Sequence, residues 1–235
     1  MSELKEQHQG ENDLHLEIPG RWDSTMYPHI FGLPESLLFL LSQVTRLGNE
    51  RDLSDSGSYT GALDFKQFAA RARSLERCIS TWRAPPMSDG DADSIIGQAN
   101  ATLIRLMLSA LHKALLIFFY RRIYDVDPMI LQDKAWQVRD ALAQVDRDDV
   151  PATRVAAPFA WAAFIAACEA LDPTLQDWFT TWFETSARRS RLGTFKLALR
   201  TARQVWERQR RPLNSSASTS WPQIMRESNL SLFYI

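Results

Sequence analysis

The stretch LIRLMLSALHKALLIFFY, residues 103 to 120, is apolar on nearly every side when wound as a helix. A helix of that kind has no face to offer water, so it belongs in the middle of a larger helical assembly. The run approaches the length that crosses a bilayer, but Arg105, His112 and Lys113 interrupt it. A charged residue of this sort costs about 2.5 kcal/mol or more at the bilayer centre. The run therefore predicts a central core helix, and no membrane partner is expected.

The rest of the chain supplies what such a helix needs around it. With 235 residues, 45% of them hydrophobic and 11% aromatic, the chain can bury one sizeable core. The periodicity from Phe31 onward is helical, and the alternation and β-branched enrichment of strands are missing. Polar breaks at 50–61, 84–94 and 212–220 separate the helices. Asp127-Pro128 and Asp172-Pro173 each put a capping acceptor before a proline that the first helical position tolerates, so helices should begin there. About eight helices are predicted, at 34–49, 64–82, 97–124, 128–146, 154–171, 173–190, 194–211 and 221–230, with ends uncertain by about 2–4 residues. The fold class is all-α, a single multi-helix domain packed around the central apolar helix. Residues 1–30 are expected to form a flexible N-terminal arm and residues 31–235 the helical domain.

Composition excludes several functions. The 27 Lys+Arg balance 28 Asp+Glu, which gives no overall attraction to nucleic-acid phosphates or anionic lipid. Two cysteines, Cys78 and Cys168, can build neither a disulfide framework nor a zinc site by themselves. The polar N-terminus lacks the apolar middle of a secretory signal. Phosphate-cradling, dinucleotide-binding, zinc-protease and serine-elbow motifs are absent from the sequence, so no cofactor and no metal are expected. The Asp125 and Asp127 pair in YDVDP suggests metal carboxylates, but Asp127 is better used as a cap.

Two groups of residues could carry chemistry. In the first, Arg105, Ser109, His112 and Tyr120 fall at helical spacing along one side of the apolar helix. They form either a polar strip lining a ligand cavity between helices or the one wet edge of a buried helix. In the second, Cys168 and Glu169 close the apolar run FAWAAFIAACEALDP, residues 159–173. A carboxylate there must be paired or protonated. It is either a general acid or base beside a thiol nucleophile, with His112 as the thiol's partner, or one half of a structural ion pair with an arginine from 188–203. We read the second, with Cys168 as a small buried hydrophobe. Lys196, Arg200, Arg203 and Arg210 make a basic stripe on the late helix, read as a solvated face and not as a DNA contact. The tryptophans, Trp178 and Trp182 among them, are assigned to the core.

Several segments together resemble a known family. They are Leu33-Pro34-Glu35-Ser36-Leu37-Leu38, then Ala114-Leu115-Leu116-Ile117-Phe118-Phe119-Tyr120-Arg121-Arg122-Ile123, then Ala167-Cys168-Glu169-Ala170, Trp206, and Trp221-Pro222-Gln223-Ile224-Met225. In order and spacing they are similar to the fungal-specific transcription factor regulatory domain, in the branch typified by arginine-metabolism regulators. The resemblance runs from about Phe31 to the C-terminus. It implies an all-helical regulatory module that normally follows a six-cysteine binuclear zinc cluster, which reads paired DNA half-sites, usually as a dimer. This chain lacks the cluster's cysteines, so no direct nucleic-acid binding is expected of it. It also carries Ala167 where the family often has glycine. With Met1 and a plausible leader, it reads as a stand-alone relative.

The expected function is a transcription-regulator-like helical domain that senses a metabolite or binds a partner. The ligand site is placed at Arg105, Ser109, His112, Tyr120 and Glu169. A homodimer or a transcriptional partner would complete it, in the nucleus, with the cytoplasm as alternative. The alternative activity is a secondary-metabolism cyclase or isomerase working in the same helical cavity.

Overall fold

The computed structural model describes residues 33–55, 65–85, 95–147, 152–210 and Trp221. Among the described residues every regular element is a helix, and seven are α-helices. They are α1 (Glu35–Asp55), α2 (Phe65–Thr81), α3 (Ile95–Phe119), α4 (Gln132–Arg147), α5 (Ala152–Glu169), α6 (Pro173–Ser190) and α7 (Gly193–Gln209). A π-helical turn, Tyr120–Tyr124, follows α3, and a 3-10 turn, Pro128–Leu131, leads into α4. The all-α expectation is met, and each of the first seven predicted helices has its counterpart. The arm expected over 1–30 and the predicted helix 221–230, Trp221 apart, lie outside the described residues.

Local chemistry explains several of the boundaries. The Asp172 carboxylate accepts from the Thr174 amide at 2.7 Å, with Pro173 in the first helical position, and α6 begins there. Asp127 accepts from the Met129 amide at 2.8 Å in the same way, but it starts a tighter 3-10 turn before α4. The helix α6 ends at Arg191, whose left-handed backbone (φ 58°) turns its N–H onto the Ala187 oxygen. Leu192 is then extended and α7 starts at Gly193, so α6 and α7 form a tight helical hairpin.

The helices divide into two compact units. The first holds α1, α2, the two ends of α3 and the π-helical turn. Within it α1 packs on α2 and on the π-helical turn. Leu37, Leu40, Val44 and Leu47 of α1, Leu75 and Ile79 of α2, and Phe119 and Ile123 are buried there.

The second unit holds Arg105–Ile117 of α3 and the helices α4 to α7. Its hub is α5, which packs against α4, α6 and α7. The reason lies in its composition: Ala162, Ala163, Ala166 and Ala167 are all fully buried, and small side chains let neighbouring helices approach closely. Phe159, Phe164 and Ile165 fill the space between them. From Met107 to Phe119, α3 is buried except at Ser109, His112 and Lys113. Ala101–Tyr124 is long and apolar enough, by length and composition alone, to cross a membrane, yet more than half of its most apolar window is buried inside the protein.

Candidate functional site: the buried end of α5 and the tyrosine pair of the first unit

The residues singled out along the apolar helix are placed as follows. Arg105 and Ser109 are exposed and His112 is half-buried, all three on the part of α3 that belongs to the second unit. Tyr120 belongs to the first unit. Glu169 is the last residue of α5, in the second unit, and only 2% exposed. Tyr120 and Glu169 thus fall in different units.

In the second unit the geometry concentrates at the end of α5. The last carbonyls of a helix have no partner within it and must find donors elsewhere. Here the last three, and that of Ala170 just past the end, are each met by a side chain from another element. The Trp206 indole N–H donates to the Ala167 oxygen at 2.7 Å, and the Gln209 amide to the Cys168 oxygen at 3.3 Å. The Gln132 amide nitrogen donates to the Glu169 oxygen at 2.7 Å, and the Gln176 amide nitrogen to the Ala170 oxygen at 2.7 Å. The donors come from α7, the start of α4, and α6. They are themselves fixed: Gln132 also donates to the Pro128 oxygen at 2.7 Å and accepts from the Leu171 N–H at 3.1 Å. Arg210, at the exit of α7, donates to the Gln176 side-chain oxygen at 2.6 Å.

Cys168 and Glu169 sit inside this cap. The Cys168 thiol is wholly buried, and burial first, then the charge of Glu169, push it well above its ordinary value. A thiol nucleophile needs the reverse, a stabilised thiolate. Cys168 is therefore packing, as the sequence suggested, and Glu169 is core.

In the first unit Glu76 of α2 gathers two phenols. Its carboxylate accepts from the Tyr120 hydroxyl at 2.9 Å and from the Tyr124 hydroxyl at 3.1 Å. Burial and then the Glu76 carboxylate raise both phenols, Tyr124 to about 12. Both tyrosines lie on the π-helical turn, which closes at Asp125 in left-handed geometry (φ 49°), with its N–H on the Tyr120 oxygen. Next to them, Arg122 clamps Asp52 with two bonds of 2.7 and 2.8 Å and reaches Asn49 at 3.0 Å. Arg51 donates to the main-chain oxygens of Arg122 and Ile123. The tyrosines and Arg122 therefore hold the exit of α3 on α1 and α2, and Tyr120 spends its hydroxyl on that task.

Elsewhere the arrangement is structural. Lys196, Arg200, Arg203 and Arg210 are exposed, as the basic stripe predicts, and Arg203 pairs with Glu184 at 2.9 Å. Asp125 pairs with Arg121 at 3.0 Å. Among the described residues no three His, Cys, Asp or Glu converge as metal ligands. Trp182 is buried, whereas Trp178 is half-buried with the Arg139 guanidinium 5.9 Å from its ring centre and 4.6 Å from that of Trp136.

Sequence reasoning missed Gln132, Gln176, Gln209 and Glu76, which read as ordinary polar helix residues. One local signal was available for two of them: Gln132 and Gln176 each lie four residues after a helix-starting Pro128 or Asp172, at positions that point inward with Leu131 and Leu175.

These features define a helical scaffold in which buried polar side chains tie helix ends together. Neither a curated protein nor a solved structure matches the chain. The family model described as the fungal specific transcription factor domain matches residues 3–235, and the chain belongs to that family.

Proposed function

We propose that the chain is the regulatory module of a transcription regulator, acting in the nucleus by sensing a metabolite or binding a partner. The observation that carries this reading is the family match over residues 3–235. The likeness of its segments to arginine-metabolism regulators supports that branch of the family as the one to test first. With Cys78 and Cys168 as its cysteines, the given sequence holds fewer than the six that a binuclear zinc cluster needs, so DNA reading is assigned to residues or a protein outside it.

A ligand held near Arg105, His112 and Glu169 would act by population shift, favouring one packing of α6 and α7 over another. To matter, it must bind one packing more tightly than the other by the free-energy gap between them. The alternative, a cyclase or isomerase in the same helical cavity, would use Glu169, His112 or Tyr120 to handle protons, and the Tyr120 hydroxyl is already bonded to Glu76 at 2.9 Å.

Two measurements test the proposal together. The chain fused to a heterologous DNA-binding domain should change expression of a reporter in a fungal host. A thermal-shift screen over small metabolites should find at least one that raises Tm, as any ligand selective for the native state must. An inert fusion together with catalytic turnover of a metabolite would sink the reading.

A further inference from the structure

The end of α5 is tied to the end of α7 by a two-bond relay. Arg210 donates to the Gln176 oxygen at 2.6 Å, and the nitrogen of the same amide donates to the Ala170 oxygen at 2.7 Å. The amide has one workable orientation. Flipped, its oxygen would face the Ala170 carbonyl and its NH2 would face a cation, so both contacts would turn repulsive. Gln176 is only 5% exposed, which shields both bonds from competing water.

Arg210 is the residue on which α7 ends. The Trp221 ring meets the Phe164 ring of α5 edge-on at 5.4 Å. Trp221 thus touches α5 farther back than the relay does.

We infer that Gln176 couples the C-terminal end of α7 to the last turn of α5, so that release of Arg210 frees the α5 terminus. The coupling is a property of the second unit and holds whatever ligand or partner the protein takes. Its elements are a surface cation that can be withdrawn, a buried amide that loses its fixed orientation when the cation leaves, and a helix end whose carbonyl then loses its donor.

Amide hydrogen exchange on the full chain tests this. Arg210→Met should speed exchange at the Ala170 and Leu171 amides by roughly tenfold, the size expected for one hydrogen bond to a charged group. Gln176→Met should do the same, and the double variant should add nothing to Gln176→Met alone. Lys196→Met removes an exposed cation of the same helix and should leave α5 unchanged. Should Gln176→Met fail to fold, Gln176→Glu replaces it. That variant keeps the bond from Arg210 but loses the donor to Ala170, and must still loosen the α5 end. Acceleration confined to α7 in Arg210→Met, or additive effects in the double variant, would overturn the coupling.

Discussion

Gln132 offers the sharpest test of how the second unit is held. Its amide makes three bonds: two donations of 2.7 Å to the Pro128 and Glu169 oxygens and one acceptance of 3.1 Å from the Leu171 N–H. Gln132→Met keeps an unbranched side chain of similar length and removes all three. Each bond contributes about 1 kcal/mol net, and the stranded main-chain groups are part-buried, so the loss should be about 3 kcal/mol. A chain in this size range loses about 2–4 °C of Tm per kcal/mol, so the melting point should fall by about 6–12 °C. Urea unfolding, with the slope checked against the parent, gives the free energy directly. The control is Gln137→Met, one turn along the same helix, where the amide donates to the exposed Asp133 at 2.7 Å. That change should stay within about 0.5 kcal/mol. If Gln132→Met is as mild as the control, the side-chain cap on α5 contributes nothing and the account of its buried end is wrong.

Four further outcomes are expected. A Cβ on Gly48 would lie 2.6 Å from both Cγ and Nε of Arg122, which Asp52 holds in place. Gly48→Ala should therefore destabilise the protein despite a helix-propensity gain of up to about 1 kcal/mol, and in an Arg122→Ala background the same change should become stabilising. Glu169→Leu should cost less than Glu169→Ala by about 1 kcal/mol or more in denaturant melts, since leucine fills space that alanine leaves empty. We propose that an arginine of segment 188–203 holds this carboxylate. In the native protein a thiol-specific disulfide reagent should titrate only Cys78, with Cys168 reacting on unfolding, because burial keeps its thiolate from forming. The folded phenol of Tyr124, raised from 10.0 to about 12, favours the protonated form in the native state. Its contribution is complete below pH 10 and fades as pH rises through about 12, so phenolate absorbance should show that late component, and Tyr124→Phe should remove it.

The helices were legible because their signals are local. Asp127-Pro128 and Asp172-Pro173 mark starts that depend only on the adjoining residues, and both carboxylates accept the expected amide. The run from Phe159 to Cys168 was likewise readable as core from its lack of any polar face, and every residue in it but the half-buried Trp161 is buried. The amide caps were not legible. Gln132 meets Glu169 from 37 residues away and Trp206 meets Ala167 from 39, and a helical wheel holds no trace of such partners. Tyr120 shows the same limit. Helical spacing aligned it with Arg105, Ser109 and His112, but the winding loosens at Tyr120, and its hydroxyl goes to Glu76 of α2.

The hairpin that Arg191 closes between α6 and α7 sets an order of assembly. Its helices are joined by so short a connection that bringing them together loses little chain entropy, and the pair can dock as soon as both have coiled. The terminus of α5 must wait for tryptophan and glutamine donors that arrive from far along the polypeptide on either side. In the nascent protein the late hairpin should therefore form first, and α7 must leave the ribosome before the alanine-rich helix can settle.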